Sequence, residues 1–204
     1  MVAIIDYGVG NLFSLKSSFA KIDKDAVVTN DASVIANADR LILPGVGAFA
    51  DAAEKLECGG LADVVKKECE KGKPLMGICL GMQLLFDKSY EYGEHEGLGL
   101  IKGEVVSIGN FIPEDYKIPQ IGWNALKFTG KECPVFKYTE EGTYVYFVHS
   151  FAGSACEESL IATCEYGAPL TACVANENVI GCQFHPEKSG DLGLKILQAF
   201  CEMN

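Results

Sequence analysis

Positive charge is scarce in this 204-residue chain: 17 Lys and Arg stand against 28 Asp and Glu, a net charge of −11. Such a surface repels phosphate backbones, so general nucleic-acid binding is not expected. A partner, where there is one, is better matched by a basic patch. Long apolar runs are missing too. The opening run from Val2 is cut by Asp6 and lacks the basic stretch of a secretory signal. No segment approaches the roughly 20 apolar residues needed to cross a bilayer. These absences give the expectation of a cytoplasmic protein. Histidine is limited to His95, His149 and His185. None of the nine cysteines belongs to a CxxC pair or a cluster of zinc-finger spacing, so no metal or cofactor is expected. Cys164, Cys173 and Cys182 lie in short apolar runs and read as small buried hydrophobes. Linkers, repeats and low-complexity tracts are likewise missing. With 49% hydrophobic and 22% charged residues, the composition is that of a folded domain, and the length suits a single one over 1–204.

Along the first half, short apolar strands alternate with amphipathic helices. Strands are expected at Val2 to Asp6, Ala26 to Thr29, Arg40 to Leu43 and Pro74 to Ile78. Helices are expected at Asn11 to Lys21, across Ala48 to Lys71 with a break at Gly59 and Gly60, and at Leu80 to Phe86. That alternation implies an α/β fold: a mainly parallel open sheet with helices on both faces. The second half changes character. Val105 to Ile108, Ala125 to Phe128, Tyr144 to Phe151, Leu160 to Cys164, Thr171 to Ala175 and Val179 to Phe184 read as strands, an antiparallel hairpin extension closed by a helix from Asp191 to Cys201.

Reactive groups in such sheets gather beyond the carboxyl ends of the strands. Four junctions fall there: "DYGVGN" from Asp6, "PGVGAF" from Pro44, "GICLG" from Gly77 and "FHPEKSG" from Phe184. Gly77 to Gly81 has the form Gly-x-nucleophile-x-Gly between a strand and a helix, where side chains two residues from the nucleophile would collide with it. The helix starting at Leu80 directs free N–H groups at Cys79 and favours its thiolate. The competing reading is one more buried cysteine with glycines that only permit close packing. A cysteine nucleophile needs a base, and His185 is the first candidate. Pro186 keeps His185 extended, so Glu187 can reach round to its ring; alone, the same residues would read as a solvated loop. His95 sits among glutamates, and His149 in an apolar strand. The glycines of "PGVGAF" let backbone amides approach an oxyanion. A phosphate loop is the rival, without the lysine or the full glycine spacing.

Together, "PGVGAF", "GICLGMQ" and "HPEKSG" in this order resemble the class I, triad-type glutamine amidotransferases. "DYGVGNLFS", "GLGLIKGEV", "IPQIGWN" and "YFVHSF" narrow the resemblance to the glutaminase subunits of imidazole glycerol phosphate synthases. It spans Asp6 to about Phe200. It implies hydrolysis of glutamine to glutamate and ammonia through a thioester on Cys79, with His185 and Glu187 completing the triad. Leu80, Val46 and Gly47 are implied as oxyanion donors, and Gln83, Glu96, His149, Ser150 and Phe151 as glutamine-binding residues. Phe151 stands where the family usually carries tyrosine, so a hydroxyl is lost. The implied partner is a (β/α)₈-barrel cyclase, a separate chain forming a heterodimer, which turns the ammonia into imidazole glycerol phosphate and AICAR for histidine biosynthesis. Asn11, Pro119, Trp123, Asn124 and Lys188 are expected to face it; for Trp123 a place in the core is equally open. Glutaminases of other synthases, stand-alone cysteine hydrolases and a non-catalytic docking subunit are the alternatives.

Overall fold

In the computed structural model, which describes residues 1–203, the first half follows the expected alternation. It runs β1 (Val2–Ile5), α1 (Leu12–Lys21), β2 (Ala26–Thr29), α2 (Ala32–Asn37), β3 (Arg40–Leu43), α3 (Phe49–Cys58), α4 (Leu61–Glu70), β4 (Leu75–Ile78) and α5 (Leu80–Gln83). The expected long helix divides at Gly59 and Gly60, where Gly60 takes a left-handed φ of +66°. Helix α2 was not expected. Six residues are too few to display a period, and Asp31 starts it by accepting from the N–H groups of Ser33 and Val34.

The second half comprises β5 (Phe86–Ser89), β6 (His95–Glu96), β7 (Ile101–Ser107), β8 (Gln120–Phe128), β9 (Tyr144–His149), β10 (Phe151–Ser154), β11 (Leu160–Glu165), β12 (Pro169–Asn176), β13 (Val179–Cys182) and α6 (Gly190–Cys201). Nine strands form the main sheet in the order β2-β1-β3-β4-β13-β12-β11-β8-β9. Strands β1 to β4 and β13 are parallel, and β12, β11, β8 and β9 extend it antiparallel. β13 departs from the hairpin reading on one side. It pairs antiparallel with β12 but parallel with β4, Cys182 opposite Ile78.

A second sheet, β10-β7-β5-β6, was not anticipated. The expected helix to Phe86 stops at Gln83, and Phe86 opens β5 instead. Its ring fills the space beneath Gly153, where a Cβ would lie 2.5 Å from the ring's Cζ. The expected strand Tyr144 to Phe151 breaks at Ser150, sending β9 to the large sheet and β10 to the small one.

Alternation along β1 shows how the core divides. Val2 and Ile4 face a cluster with α1 and α6 that contains Leu15, Phe19, Leu197 and Phe200. Ala3 and Ile5 face another with α3 and α4 that contains Phe49, Leu56 and Val65. Both faces of the sheet are therefore covered, and strands β1, β3, β4 and β13 open toward one edge. Among the described residues no helix is long and apolar enough to cross a membrane.

Candidate active site

The turn between β4 and α5 puts Cys79 at φ +56° and ψ −113°, a conformation that ordinary side chains avoid. Close backbone packing holds it there. A Cβ on Gly81 would lie 1.9 Å from the Leu43 carbonyl oxygen, one on Gly77 2.6 Å from the Gly81 oxygen, and one on Gly45 2.7 Å from the Gly81 nitrogen. The glycines thus relieve contacts between the turn, α5 and the end of β3. The Cys79 N–H donates to the Cys182 carbonyl at 2.7 Å, fastening the turn to β13. Leu80 is the first residue of α5, so its N–H has no carbonyl a turn behind it.

β13 delivers His185 to the same place. Its ring is buried, and its Nδ1 lies 2.8 Å from Glu187 Oε1, with side-chain exposures of 3% and 2%. Burial opposes charge on the ring. The neighbouring Cys79 sulfur and then the Glu187 carboxylate outweigh burial and lift the His185 pKa to about 9. Nδ1 is bound to the carboxylate, so Nε2 is the nitrogen left for the sulfur. Ser189, which the sequence did not single out, clamps this turn. Its hydroxyl donates to the His185 carbonyl at 2.6 Å and accepts from the Tyr146 N–H at 3.0 Å.

Cys79 and His185 lie in the wall of a cleft of 340 Å³. Val46, Gly47, Leu80, Gln83, His149, Ser150, Phe151, Pro119 and Lys188 line it with them; Glu187 lies behind His185. Glu96 does not reach this cleft. It is exposed on β6, near Ala53, Glu57 and Gly97. The acidic residue in the wall is Glu91, whose Oε2 accepts from the Phe49 N–H at the start of α3 at 2.7 Å. This corrects the expected binding set. "SYEYGEHEG" holds three glutamates and no period to rank them, and only the return of the chain along β5 and β6 decides which faces inward.

The Phe151 carbonyl organises the far wall. It accepts from His149 Nδ1 at 2.8 Å and from Gln83 Nε2 at 2.9 Å. Neither bond involves the missing hydroxyl. Because a carbonyl only accepts, His149 carries its proton on Nδ1. His149 lines the cleft, and its buried Nε2 lone pair has no partner among the described residues. Burial holds the His149 pKa down at about 4, against a raising effect from its bond to Phe151 and with a small lowering from His185. Tyr7 of the first loop donates to the Pro44 carbonyl at 2.6 Å, steadying the entrance to Val46 and Gly47; burial first, then the Cys79 charge, keep this phenol protonated.

The residues expected to face a partner differ among themselves. Trp123 is 50% exposed, edge-on to Tyr146, and not in the core. Lys188 is exposed, its Nζ 5.9 Å from the centre of the Tyr146 ring. Pro119 is at the mouth of the cleft. Asn11 caps α1 through a 3.4 Å bond from the Ser14 N–H. Asn124 is engaged within the chain: it accepts from Gln120 and donates to the Glu165 carbonyl, both at 2.9 Å. Among the described residues no cluster of three or more His, Cys, Asp or Glu is arranged to hold a metal ion.

A buried thiol, imidazole and carboxylate beside helix-start amides, on a doubly covered parallel sheet, are the equipment of acyl transfer through a thioester. Residues 3–203 match the family model for "Glutamine amidotransferase class-I", and the chain belongs to that family. Among solved structures, a glutamine amidotransferase crystal structure superposes with a TM-score of 0.75 at 19% identity, covering 98% of this chain and 100% of that one. PurLQS from Thermotoga maritima superposes with a TM-score of 0.73 at 21% identity, over 98% and 96%. Curated relatives narrow the family. The imidazole glycerol phosphate synthase subunit HisH of Wolinella succinogenes is 48% identical over the full length of both chains. That of Caldanaerobacter subterraneus subsp. tengcongensis is 50% identical over 100% of this chain and 98% of its own. That of Aquifex aeolicus is 48% identical over 97% and 94%.

Proposed function

We infer that this chain is the glutaminase subunit of an imidazole glycerol phosphate synthase, hydrolysing glutamine and passing ammonia to a cyclase subunit. The observation that carries this reading is the buried His185–Glu187 pair beside Cys79 in the wall of the cleft. It is supported by relatives of that name at about half identity over the whole chain.

The mechanism follows from the atoms. The Cys79 sulfur attacks the side-chain amide carbon of glutamine, and the carbonyl electrons move onto oxygen. The oxyanion is assigned to amides of Leu80 and of the Val46–Gly47 loop, a reading supported by their place in the cleft lining. His185, held positive by Glu187 and the thiolate, hands its proton to the departing nitrogen. Ammonia leaves, and the thioester stays on Cys79. Water then attacks the thioester, His185 takes its proton, and glutamate departs as the thiolate reforms. Glu91 is the wall residue whose charge suits the α-ammonium group.

Ammonia released into water is captured as ammonium, which is not nucleophilic, so the acceptor enzyme must sit over the cleft. The rim supports this. Val46 lines the cleft and Ile118 adjoins Pro119 at its mouth; both are exposed, as are Ile121 and Trp123 on β8, and Phe13 on α1 is 84% exposed. Exposed aromatic and aliphatic side chains beside a lysine suit the centre of a protein interface. A (β/α)₈-barrel cyclase is the partner we propose. The test is glutamine turnover by the purified chain with and without such a cyclase. Weak activity alone and a large rise in the complex are expected. Full turnover alone, indifferent to the cyclase, would point to a free-standing hydrolase.

A further inference from the structure

The Phe151 carbonyl does more than orient His149. It also sets the polarity of a buried chain of amides that ends on the nucleophile. Gln83 must present its NH₂ group to that carbonyl, 2.9 Å away, and the same nitrogen lies 3.0 Å from a side-chain atom of Gln183. Two NH₂ groups cannot bond to each other, so Gln183 must turn its oxygen toward Gln83. Its own NH₂ then points the other way, to the Cys79 sulfur at 3.8 Å. Gln183 is fully buried and Gln83 nearly so; a flip of Gln183 would set donor against donor, and a flip of Gln83 would set its oxygen against two acceptors.

We propose that Gln183 is a catalytic residue that donates a hydrogen bond to the Cys79 sulfur and holds it as the attacking thiolate, and that Gln83 is a positioning residue that fixes the direction of that donation. The proposal rests on the reading of Cys79 as the nucleophile. The sulfur has a partner for each state. As a thiol it donates to the Val148 carbonyl at 3.8 Å; as a thiolate it accepts from Gln183 and pairs with the His185 ring. In the first step the S–C bond forms as the thiolate gives up its electron pair, and the Gln183 bond weakens. When water cleaves the thioester the pair returns to sulfur and the bond is restored, so the same N–H favours the departure of the thiolate. Gln83 lines the substrate cleft as well, so one end of the chain of amides meets substrate and the other meets the nucleophile.

The test is iodoacetamide alkylation of the full chain without substrate, followed by peptide mass mapping, with the exposed Cys58 as internal standard. A hydrogen bond to a charged acceptor is worth about a factor of ten in such an equilibrium. In Gln183→Met, the pH at which alkylation of Cys79 relative to Cys58 reaches half its plateau rises by about one unit, while the plateau at pH 10 stays within about twofold of wild type. Gln83→Leu shows the same rise, smaller, about half a unit, and decides the matter if Gln183→Met does not fold. An unmoved midpoint, or a loss equal at every pH, overturns the proposal. Failure of the underlying reading looks different: wild-type protein alkylated at Cys79 would still hydrolyse glutamine.

Discussion

At the scale of single residues, the two buried histidines carry opposite charge preferences within one cleft. His185 is held protonated up to about pH 9 and His149 neutral down to about pH 4. The consequences for stability have opposite signs. A His whose folded pKa lies above its unfolded value of about 6.5 adds stability that is complete below that value and is lost as pH rises through 9. For His149 the unfolded chain binds the proton first, so stability is complete above about 6.5 and is lost as pH falls toward 4. Each effect is bounded at roughly 3 kcal/mol. Urea unfolding is therefore expected to show greatest stability near pH 6.5, and His149→Gln to flatten the fall between pH 6.5 and 5. An unchanged acid limb in that variant would contradict the burial argument. Ser189→Ala removes a hydroxyl bonded on both sides and is expected to cost about 1–3 kcal/mol, measured by the same unfolding.

Secondary-structure elements matter here for how closely they approach. Helix α6 passes under the turn that carries His185, and a Cβ on Gly193 would lie 1.9 Å from the Pro186 carbonyl oxygen. Gly193→Ala must push turn and helix apart. The expected result is glutamine hydrolysis lowered at least about tenfold, since displacement of a catalytic group by about an ångström has that effect, with a lowered Tm; full activity would show the turn to be free of α6. This is also the scale at which the sequence was most and least legible. Cys79, His185 and Glu187 could be singled out because their signals are local: a strand, a glycine-flanked turn and a helix, then His-Pro-Glu after a strand. The small sheet was hidden because Leu84 to Phe86 continues the apolar pattern of α5, and the strand is set by its distant pairing with β7 and β6. Gln183 was hidden in the buried run that continues β13 to Phe184, where a single polar residue gives no period. Glu91 was hidden among neighbouring glutamates.

On the scale of the whole molecule, the parallel strands bring their loops to one edge, and the exposed Val46, Ile118 and, through the Tyr146 ring that Lys188 overlies, Trp123 form an apolar rim beside the same opening. A net charge of −11 adds long-range attraction for a cyclase with a basic face, so association should slow as salt is raised. Trp123, half exposed and edge-on to Tyr146, is the best anchor on that rim. Trp123→Ala is expected to weaken cyclase binding by about 2 kcal/mol, roughly 30-fold in Kd by titration calorimetry, with the Tm of the isolated chain unchanged. An unaltered Kd would move the interface elsewhere.

All three scales meet in the claim that one sulfur does the chemistry. The most direct measurement is made on the complex with the cyclase, comparing Cys79→Ala with wild type for product formation from glutamine and from an ammonium salt. The account predicts that the variant loses glutamine-driven synthesis and keeps ammonium-driven synthesis at the wild-type rate. A Cys79→Ala complex that still used glutamine would contradict it.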